Sequence, residues 1–275
     1  MNTAKGASPR QLARIAGALY LINILGGAFA IGFVHATLFA SDPATTAANI
    51  AGHQLLYRGG LAAHVVVTVT NVPLALIFYE LFKVVSRRVA LLAAFFILVA
   101  TAIEAAGLLN EFAPLILVGS GSGTAAPGAQ LPELVSLHVH LSQVHYTLYT
   151  VFFGLDIGCL AYLILRSRFL PRAIAVLLAV DGLAYLAYSF TDFLAPGWAP
   201  TLTPWIQLPA PLAEGAFSIW LLTFGLNSVR RTAHATEGTQ MDLAAMNAAL
   251  EARATQLEGG GQRIPVVGQQ LGLLD

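Results

Sequence analysis

Long apolar stretches alternate along the chain with short connections that are rich in polar residues, glycine and proline. A helix that crosses a bilayer needs about 20 mostly apolar residues, because each residue advances the helix by about 1.5 Å. Six stretches reach that length: 14–39, 57–82, 88–113, 136–165, 172–194 and 205–228. The pattern therefore predicts an all-α fold, a polytopic membrane bundle of six transmembrane helices.

The basic residues of the connections indicate which side of the membrane each connection faces. Cytoplasmic loops of membrane proteins carry an excess of Lys and Arg. Both termini are therefore expected in the cytoplasm, and the chain is expected to be a multi-pass protein of the inner (cytoplasmic) membrane of a cell. The basic residues cluster at alternate ends of the predicted helices, as Lys5, Arg10 and Arg14, then Lys83, Arg87 and Arg88, then Arg166, Arg168 and Arg172, and finally Arg230 and Arg231.

The chain divides by character into three parts. We expect a cytoplasmic N-terminal segment at 1–13, a six-helix transmembrane domain at 14–231 and a cytoplasmic tail at 232–275. The tail is predicted to hold a short amphipathic helix, which lies on the membrane or on the bundle, with a partner-binding helix as the alternative. Thr239 and Asp242 have the spacing of a helix capping box, and they are followed at helical spacing by Leu243, Met246, Leu250 and Leu257.

The composition agrees with a membrane protein and excludes two other classes. The chain is 57% hydrophobic and 10% charged, against about 25% charged residues in an ordinary soluble domain. Acidic and basic residues balance at 14 each, so no net charge attracts nucleic acid, and the lipid bilayer is the implied partner. The single cysteine, Cys159, excludes an intramolecular disulfide framework.

Several strings of residues are similar to those of a known family. On their strength the chain resembles, over roughly residues 10–230, a bacterial family of multi-helix integral membrane proteins described as domain of unknown function 4386. The resemblance implies a multi-helix membrane fold and assigns no activity. Relatives tend to carry acids on the second helix where this chain has His64 and Asn71. The strings are Arg14-Ile15-Ala16-Gly17, Tyr57-Arg58, Leu91-Leu92-Ala93-Ala94-Phe95-Phe96, Phe152-Phe153-Gly154-Leu155, and Arg166-Ser167 followed by Phe169-Leu170-Pro171-Arg172.

Five of the six predicted helices carry their polar residues on one face. At 100° per residue, for example, His138, His145 and Asp156 fall on one stripe of the fourth helix. An ionisable side chain that faces lipid costs on the order of 3 kcal/mol, so these faces are expected to line a shared, outward-facing cavity. The candidate cavity or ligand-binding residues are Arg58, His64, Asn71, Glu104, Glu111, His138, His145, Tyr149, Asp156, Asp181 and Glu214.

The depth of each candidate residue in the bilayer indicates which of them form one coupled site. Counted along straight helices, His64, Glu104, His145 and Glu214 lie at similar depth towards the outer side. Imidazole and carboxylate groups suit zinc, iron and copper, so the same four residues are the candidate metal ligands and a divalent transition metal stays an alternative. No compact motif such as H-E-x-x-H supports it. A haem held by His64 and His145 has no further support, so no cofactor is firmly implied.

The sequence favours a small-molecule-binding or transport-related protein. An intramembrane metal-dependent enzyme and a structural or accessory subunit are the alternatives, and no catalytic residue is identified, because a serine such as Ser142 near His145 is common on a polar helix face. Gly154 and Gly158 form a GxxxG pair, which is expected to pack within the monomer, with a homodimer as the alternative. Arg58 is expected to pair with an acid such as Glu111.

Overall fold

The computed structural model describes residues 8–119, 130–167, 169–206, 208–226, 240–241, 243–244 and 246–256. Within these residues the fold is helical and contains no strand. The chain separates into two units, Met1–Arg231 and Thr232–Asp275.

Nine helices and one π-helical segment make up the described part of the first unit. In chain order these elements are α1 (Pro9–Gly27), the π-helical segment (Ala28–His35), α2 (Ala36–Leu38), α3 (Pro43–Gly52), α4 (Gln54–Phe82), α5 (Arg87–Gly119), α6 (Leu131–Ser167), α7 (Arg172–Leu194), α8 (Ala199–Ile206) and α9 (Pro209–Thr223).

Five helices are long and apolar enough to cross a membrane. They are the continuous helix Pro9–Leu38 and helices α4, α5, α6 and α7. The sixth predicted span is interrupted, because its apolar residues are divided between the end of α8 and the 15-residue α9. Proline has no backbone N–H and is favoured at the first position of a helix, so Pro209 begins α9 inside the predicted span. Among the described residues, the count of six spans is therefore not confirmed by helix length.

Two helix starts are fixed by side-chain caps. Ser8 and Gln11 form a reciprocal capping box at the start of α1. Asp42 caps α3, where its Oδ2 accepts hydrogen bonds from the Thr45 hydroxyl at 2.6 Å and from the Thr45 backbone N–H at 2.8 Å. These hydrogen bonds favour the charged carboxylate, and the bond from the hydroxyl is the larger cause of the lowered pKa of Asp42.

Two apolar cores hold the bundle together. The larger core contains Tyr20, Phe82 and Phe217 and draws on α1, α4, α5, α6, α7 and α9. The smaller core contains Val34 of the π-helical segment and Ile50 of α3, together with residues of α2, α4, α5 and α6. Large apolar side chains on the outer surface of the bundle are exposed, as contact with lipid requires.

The glycines of the predicted GxxxG pair lie against α7 of the same chain. A Cβ atom on Gly154 would come within 2.9 Å of the Gly182 carbonyl oxygen, and one on Gly182 would come within 3.1 Å of the Gly158 backbone nitrogen. The small residues therefore permit close backbone contact between α6 and α7. A homodimer through the pair stays a prediction.

In the second unit, the described residues of 240–256 are helical. Met241, Leu243, Met246 and Leu250 are exposed there. Several sequence-based expectations concern residues outside the described part of the chain: Lys5, Arg168, Arg230, Arg231, Thr239, Asp242 and Leu257.

Candidate polar site within the helix bundle

A buried histidine on α4 joins two glutamates of α5. Nδ1 of His64 lies 2.9 Å from Oε2 of Glu111, and Nε2 lies 3.1 Å from Oε1 of Glu104. The histidine is 2% exposed, and both glutamates are buried. Glu104 and Glu111 are seven residues apart, so they lie on the same face of α5 two turns from each other, and the imidazole bridges them.

The bridge determines how many protons the three groups share. A neutral imidazole carries one N–H, whereas both nitrogens of an imidazolium are donors. Both contacts of His64 are hydrogen bonds only when a proton lies in each gap, either on an imidazolium between two carboxylates or on a neutral imidazole beside one carboxylic acid. In either arrangement the three groups carry a single net negative charge.

Side-chain amides extend this bridge towards α1. Nδ2 of Asn71 donates to Oε2 of Glu104 at 3.3 Å, and Nδ2 of Asn23 donates to Oδ1 of Asn71 at 2.5 Å. Thr70 donates to Oδ1 of Asn23. A continuous series of hydrogen bonds therefore runs from α1 through α4 to α5.

The other end of the bridge reaches α6. Nε2 of His145 lies 3.9 Å from Oε1 of Glu111, and the Tyr57 hydroxyl donates to the Glu111 backbone carbonyl at 2.7 Å. Gly107 makes room for the His145 ring, since a Cβ atom there would come within 2.0 Å of it. His138 makes a separate contact, with Nδ1 3.2 Å from Oδ1 of Asn110.

Glu214 lies on α9 and binds a different partner. Its Oε1 accepts a hydrogen bond from the Tyr185 hydroxyl of α7 at 2.8 Å. The Tyr20 hydroxyl is buried near the same carboxylate without a regular hydrogen bond. Among the described residues, Glu214 makes no ion pair with His64 or His145, so the structure does not bring it into direct contact with the histidines as the sequence predicted.

A cavity of about 270 Å³ separates Glu104 from Glu214. The π-helical segment forms part of its wall through Ala28, Ile31 and Gly32, and such segments are frequent at functional sites. Among the residues that the structure describes, no Lys, Arg or His lines the cavity. The polar lining consists of Tyr20, Asn23, Asn71, Glu104, Tyr146, Tyr149, Tyr185 and Glu214.

The family model for domain of unknown function (DUF4386) matches residues 15–225. The chain belongs to this family. Its membership confirms the resemblance expected from the sequence, and the family's description assigns no activity. Neither the curated proteins nor the solved structures contain a match.

All of the polar residues described above lie within the part of the chain that matches the DUF4386 family. The structure joins His64, Asn71, Glu104, Glu111 and His145 in one network, and it brings Tyr149 and Glu214 to the cavity that Asn71 and Glu104 also line.

Two further predicted residues are buried outside this network. Asp181 is 1% exposed, and neither of its carboxylate oxygens has a hydrogen-bond partner among the described residues. Asp156 is 5% exposed and lines a small, mostly apolar pocket with Phe78 and Leu160. Both carboxyl groups thus face the protein interior, as the phase of their helices predicted.

Arg58 does not take the position expected of it. Its side chain is exposed, and Glu111 contacts His64 and His145 instead. In the part of the chain that the structure describes, no group of three or more His, Cys, Asp or Glu residues is arranged to hold a metal ion. Both ring nitrogens of His64 already face carboxylates, so the four candidate metal ligands do not converge on one point.

The sequence-based reasoning missed the contribution of α1. Asn23 and Tyr20 line the cavity, although the first predicted helix was assigned no polar face. A single Asn between Ile22 and Ile24 was the available signal, because a buried amide needs a hydrogen-bond partner.

Proposed function

We propose that this chain binds a small molecule in the cavity between Glu104 and Glu214 and takes part in moving it across the membrane. The observation that carries the proposal is the cavity itself, about 270 Å³ in volume, with two buried carboxyl groups on its wall. Ionisable residues inside a membrane bundle are costly, and they commonly mark ligand or ion pathways. The cavity and the hydrogen-bonded network share Glu104.

The network supplies a route by which the cavity communicates with the end of α5. One oxygen of Glu104 contacts Asn71 at the cavity, and the other contacts His64, which in turn contacts Glu111. Protons move along such series of hydrogen-bonded groups in pumps and transporters. Glu104 therefore links the bound molecule to a proton-holding bridge.

The proposal includes six crossings with both termini in the cytoplasm. Helix α9 is the sixth crossing, and its 15 residues span about 22 Å at 1.5 Å per residue. Buried Phe217 and Glu214 join α9 to the bundle interior. An even number of crossings puts the basic ends of the predicted helices on one side, the inner face of the cytoplasmic membrane.

Cysteine labelling tests this topology. In a Cys159→Ser background, a Ser120→Cys variant is expected to react with an impermeant reagent added outside intact cells. A reporter fused after Arg231 is expected to be active only in the cytoplasm. Labelling of Ser120→Cys only after lysis, or a periplasmic reporter, would refute the orientation.

Ligand-dependent stabilisation tests the binding function. The purified protein is screened against small polar compounds of all charge types, and a true ligand at about 100 times its Kd contributes about 2.7 kcal/mol, or a shift of roughly 5 °C in Tm. Stabilising compounds are then tested for flux into liposomes. Glu214→Gln is expected to abolish both effects, whereas Glu133→Gln, which removes an exposed carboxylate of α6, is the matched control. If no compound stabilises the protein, the binding function is refuted.

A further inference from the structure

We infer that the ligand of the cavity is a small organic cation with an ammonium group. The inference rests on the proposed function, because it names the class of molecule that the same cavity takes. Three features of the described residues carry it: the balance of buried charge, the aromatic wall and the volume of the cavity.

The interior of the bundle carries far more acidic than basic groups. Among the described residues, five carboxyl groups are buried, against one buried histidine, His64, and the partly buried His145. Every Lys and Arg whose burial the structure describes is exposed. A buried carboxylate without a partner is costly, so each excess one must be neutralised by a proton or by a bound cation. The five are Glu104, Glu111, Asp156, Asp181 and Glu214.

Two of these carboxyl groups line the cavity from two different helices. Glu104 comes from α5 and Glu214 from α9, and the described part of the lining includes no basic side chain. A carboxylate attracts the positive charge of any ammonium group, and its oxygens also accept hydrogen bonds from an ammonium group that carries N–H. An anionic ligand would find no counter-charge among the described lining residues, and a neutral ligand would leave Glu214 without one, since His64 contacts only Glu104 of these two.

Apart from Asn23 and Asn71, the remaining polar wall is aromatic. Tyr20, Tyr146, Tyr149 and Tyr185 line the cavity. The faces of aromatic rings attract cations within about 6 Å, and cages of such rings are used to recognise quaternary ammonium groups. Ring contacts hold this wall in place, since Tyr149 stacks on Phe153 at 5.3 Å and Tyr185 meets the same ring edge-on at 5.1 Å.

The volume limits the size of the cation. At about 270 Å³, the cavity lies just below the roughly 300–1,000 Å³ of pockets for drug-sized ligands. A compact ammonium compound suits this space better than a bare metal ion, which would leave most of it empty. A charged head between the tyrosines would leave room for a short polar or apolar tail.

Choline and two matched compounds test the inference. The two matched compounds are the carbon isostere of choline, in which a quaternary carbon replaces the ammonium nitrogen, and the anion pivalate. Binding is measured by calorimetry on the full chain in the detergent dodecyl maltoside. This detergent has no ammonium group, so it does not compete with choline as the headgroups of some lipids would. Choline is expected to bind at least tenfold more tightly than the isostere, and pivalate is expected not to bind.

Variants locate the binding site. Glu214→Gln and Glu104→Gln are each expected to weaken choline binding tenfold or more, and the exposed Glu133→Gln is expected to leave it unchanged. Gly27→Leu provides a second line of evidence that alters no charge. Gly27 lines the cavity, and a Cβ atom there would meet nothing within 4 Å, so the larger side chain occupies space that the ligand needs.

The outcomes separate the inference from the proposed function. If the isostere or pivalate binds as tightly as choline, or if only neutral or anionic compounds of the wider screen bind, the ligand class is wrong and the binding function stands. If choline binds equally well to the Glu104, Glu214 and Gly27 variants, it binds elsewhere and the inference fails. If no compound of any charge binds, both proposals fail.

Discussion

The imidazole of His64 lies between Glu104 and Glu111, and its Nδ1 atom is 2.9 Å from Oε2 of Glu111. No other described basic side chain contacts both of these glutamates. His145 lies farther from Glu111, at 3.9 Å, so His64 makes the closest basic contact of both carboxyl groups. This arrangement gives the first prediction.

His64→Ala is expected to destabilise the protein by about 3–5 kcal/mol, since it leaves buried carboxylates without their partner. The loss is measured as a lower midpoint of thermal unfolding in detergent. The exposed His140→Ala serves as control and should change the midpoint little. Adding Glu111→Gln to His64→Ala should recover part of the loss, because one uncompensated charge is removed. A loss equal to that of the control would contradict the bridge.

Tyr185 and Glu214 are expected to act as a pair. Tyr185→Phe removes the hydrogen bond to the Glu214 carboxylate and should cost about 1.5–3 kcal/mol. The Tyr185→Phe and Glu214→Gln double variant should then cost less than the sum of the two single changes. His145→Ala combined with Glu214→Gln is the comparison, and its two effects should add. Coupling between His145 and Glu214 instead would restore the single site that the sequence predicted.

Gly154 and Gly158 are expected to respond differently to the same substitution. Gly154→Ala places a methyl group 2.9 Å from the backbone carbonyl of Gly182, and such overpacking typically costs about 1–3 kcal/mol. Gly158→Ala meets nothing within 4 Å, and alanine favours a helix by roughly 0.5–1 kcal/mol over glycine. Unfolding midpoints measure both changes. Equal destabilisation by both substitutions would instead indicate that Gly158 contacts a second copy of the chain.

The Asp42 cap is expected to make stability depend on pH. Because hydrogen bonds from Thr45 lower the pKa of the folded carboxyl group, its stabilising effect is complete above the unfolded pKa of about 3.9. The effect is lost as the pH falls through the folded pKa. Asp42→Ala should therefore lower the unfolding midpoint at neutral pH, and its difference from the parent should shrink in acid. Asp42→Asn keeps a capping side chain, and its unfolding midpoint should depend little on the titration of this cap. If the midpoint of Asp42→Ala differed from that of the parent by the same amount at every pH, the result would argue against the charged cap.

The sequence predicted the helices and their inward faces well, and their partners less well. The span 172–194 coincides with α7, because Pro171 and Ala195-Pro196 bound an unbroken apolar run. Helical phase put His64, Glu104 and Glu111 inside the bundle. Phase does not say which helices are neighbours, so the partner of Glu111 was taken to be Arg58 rather than His64.

Other features depend on long-range packing that no local pattern contains. The partner of Glu214 is Tyr185, which lies 29 residues away, and depth along a straight helix cannot distinguish that partner from His145. Asn23 takes its place in the network only because α1 packs against α4. Pro209 and Pro211 indicated the interruption before α9. The sixth span was nevertheless predicted as one helix, because the length of its apolar stretch was the criterion.

The π-helical segment allows one continuous helix to belong to two different cores. A π-helix turns through a smaller angle per residue than an α-helix, because its hydrogen bonds span five residues rather than four. Before the segment, Ala13, Ala16 and Tyr20 face the larger core, and after it begins, Val34 and Leu38 face the smaller one. The stripe of side chains that faces the larger core and the stripe that faces the smaller core therefore lie on different sides of the continuous helix. Deleting one residue between 28 and 35 would remove the extra residue that the π-helical turns accommodate, and the regular helix that results would keep both stripes directed at their two cores.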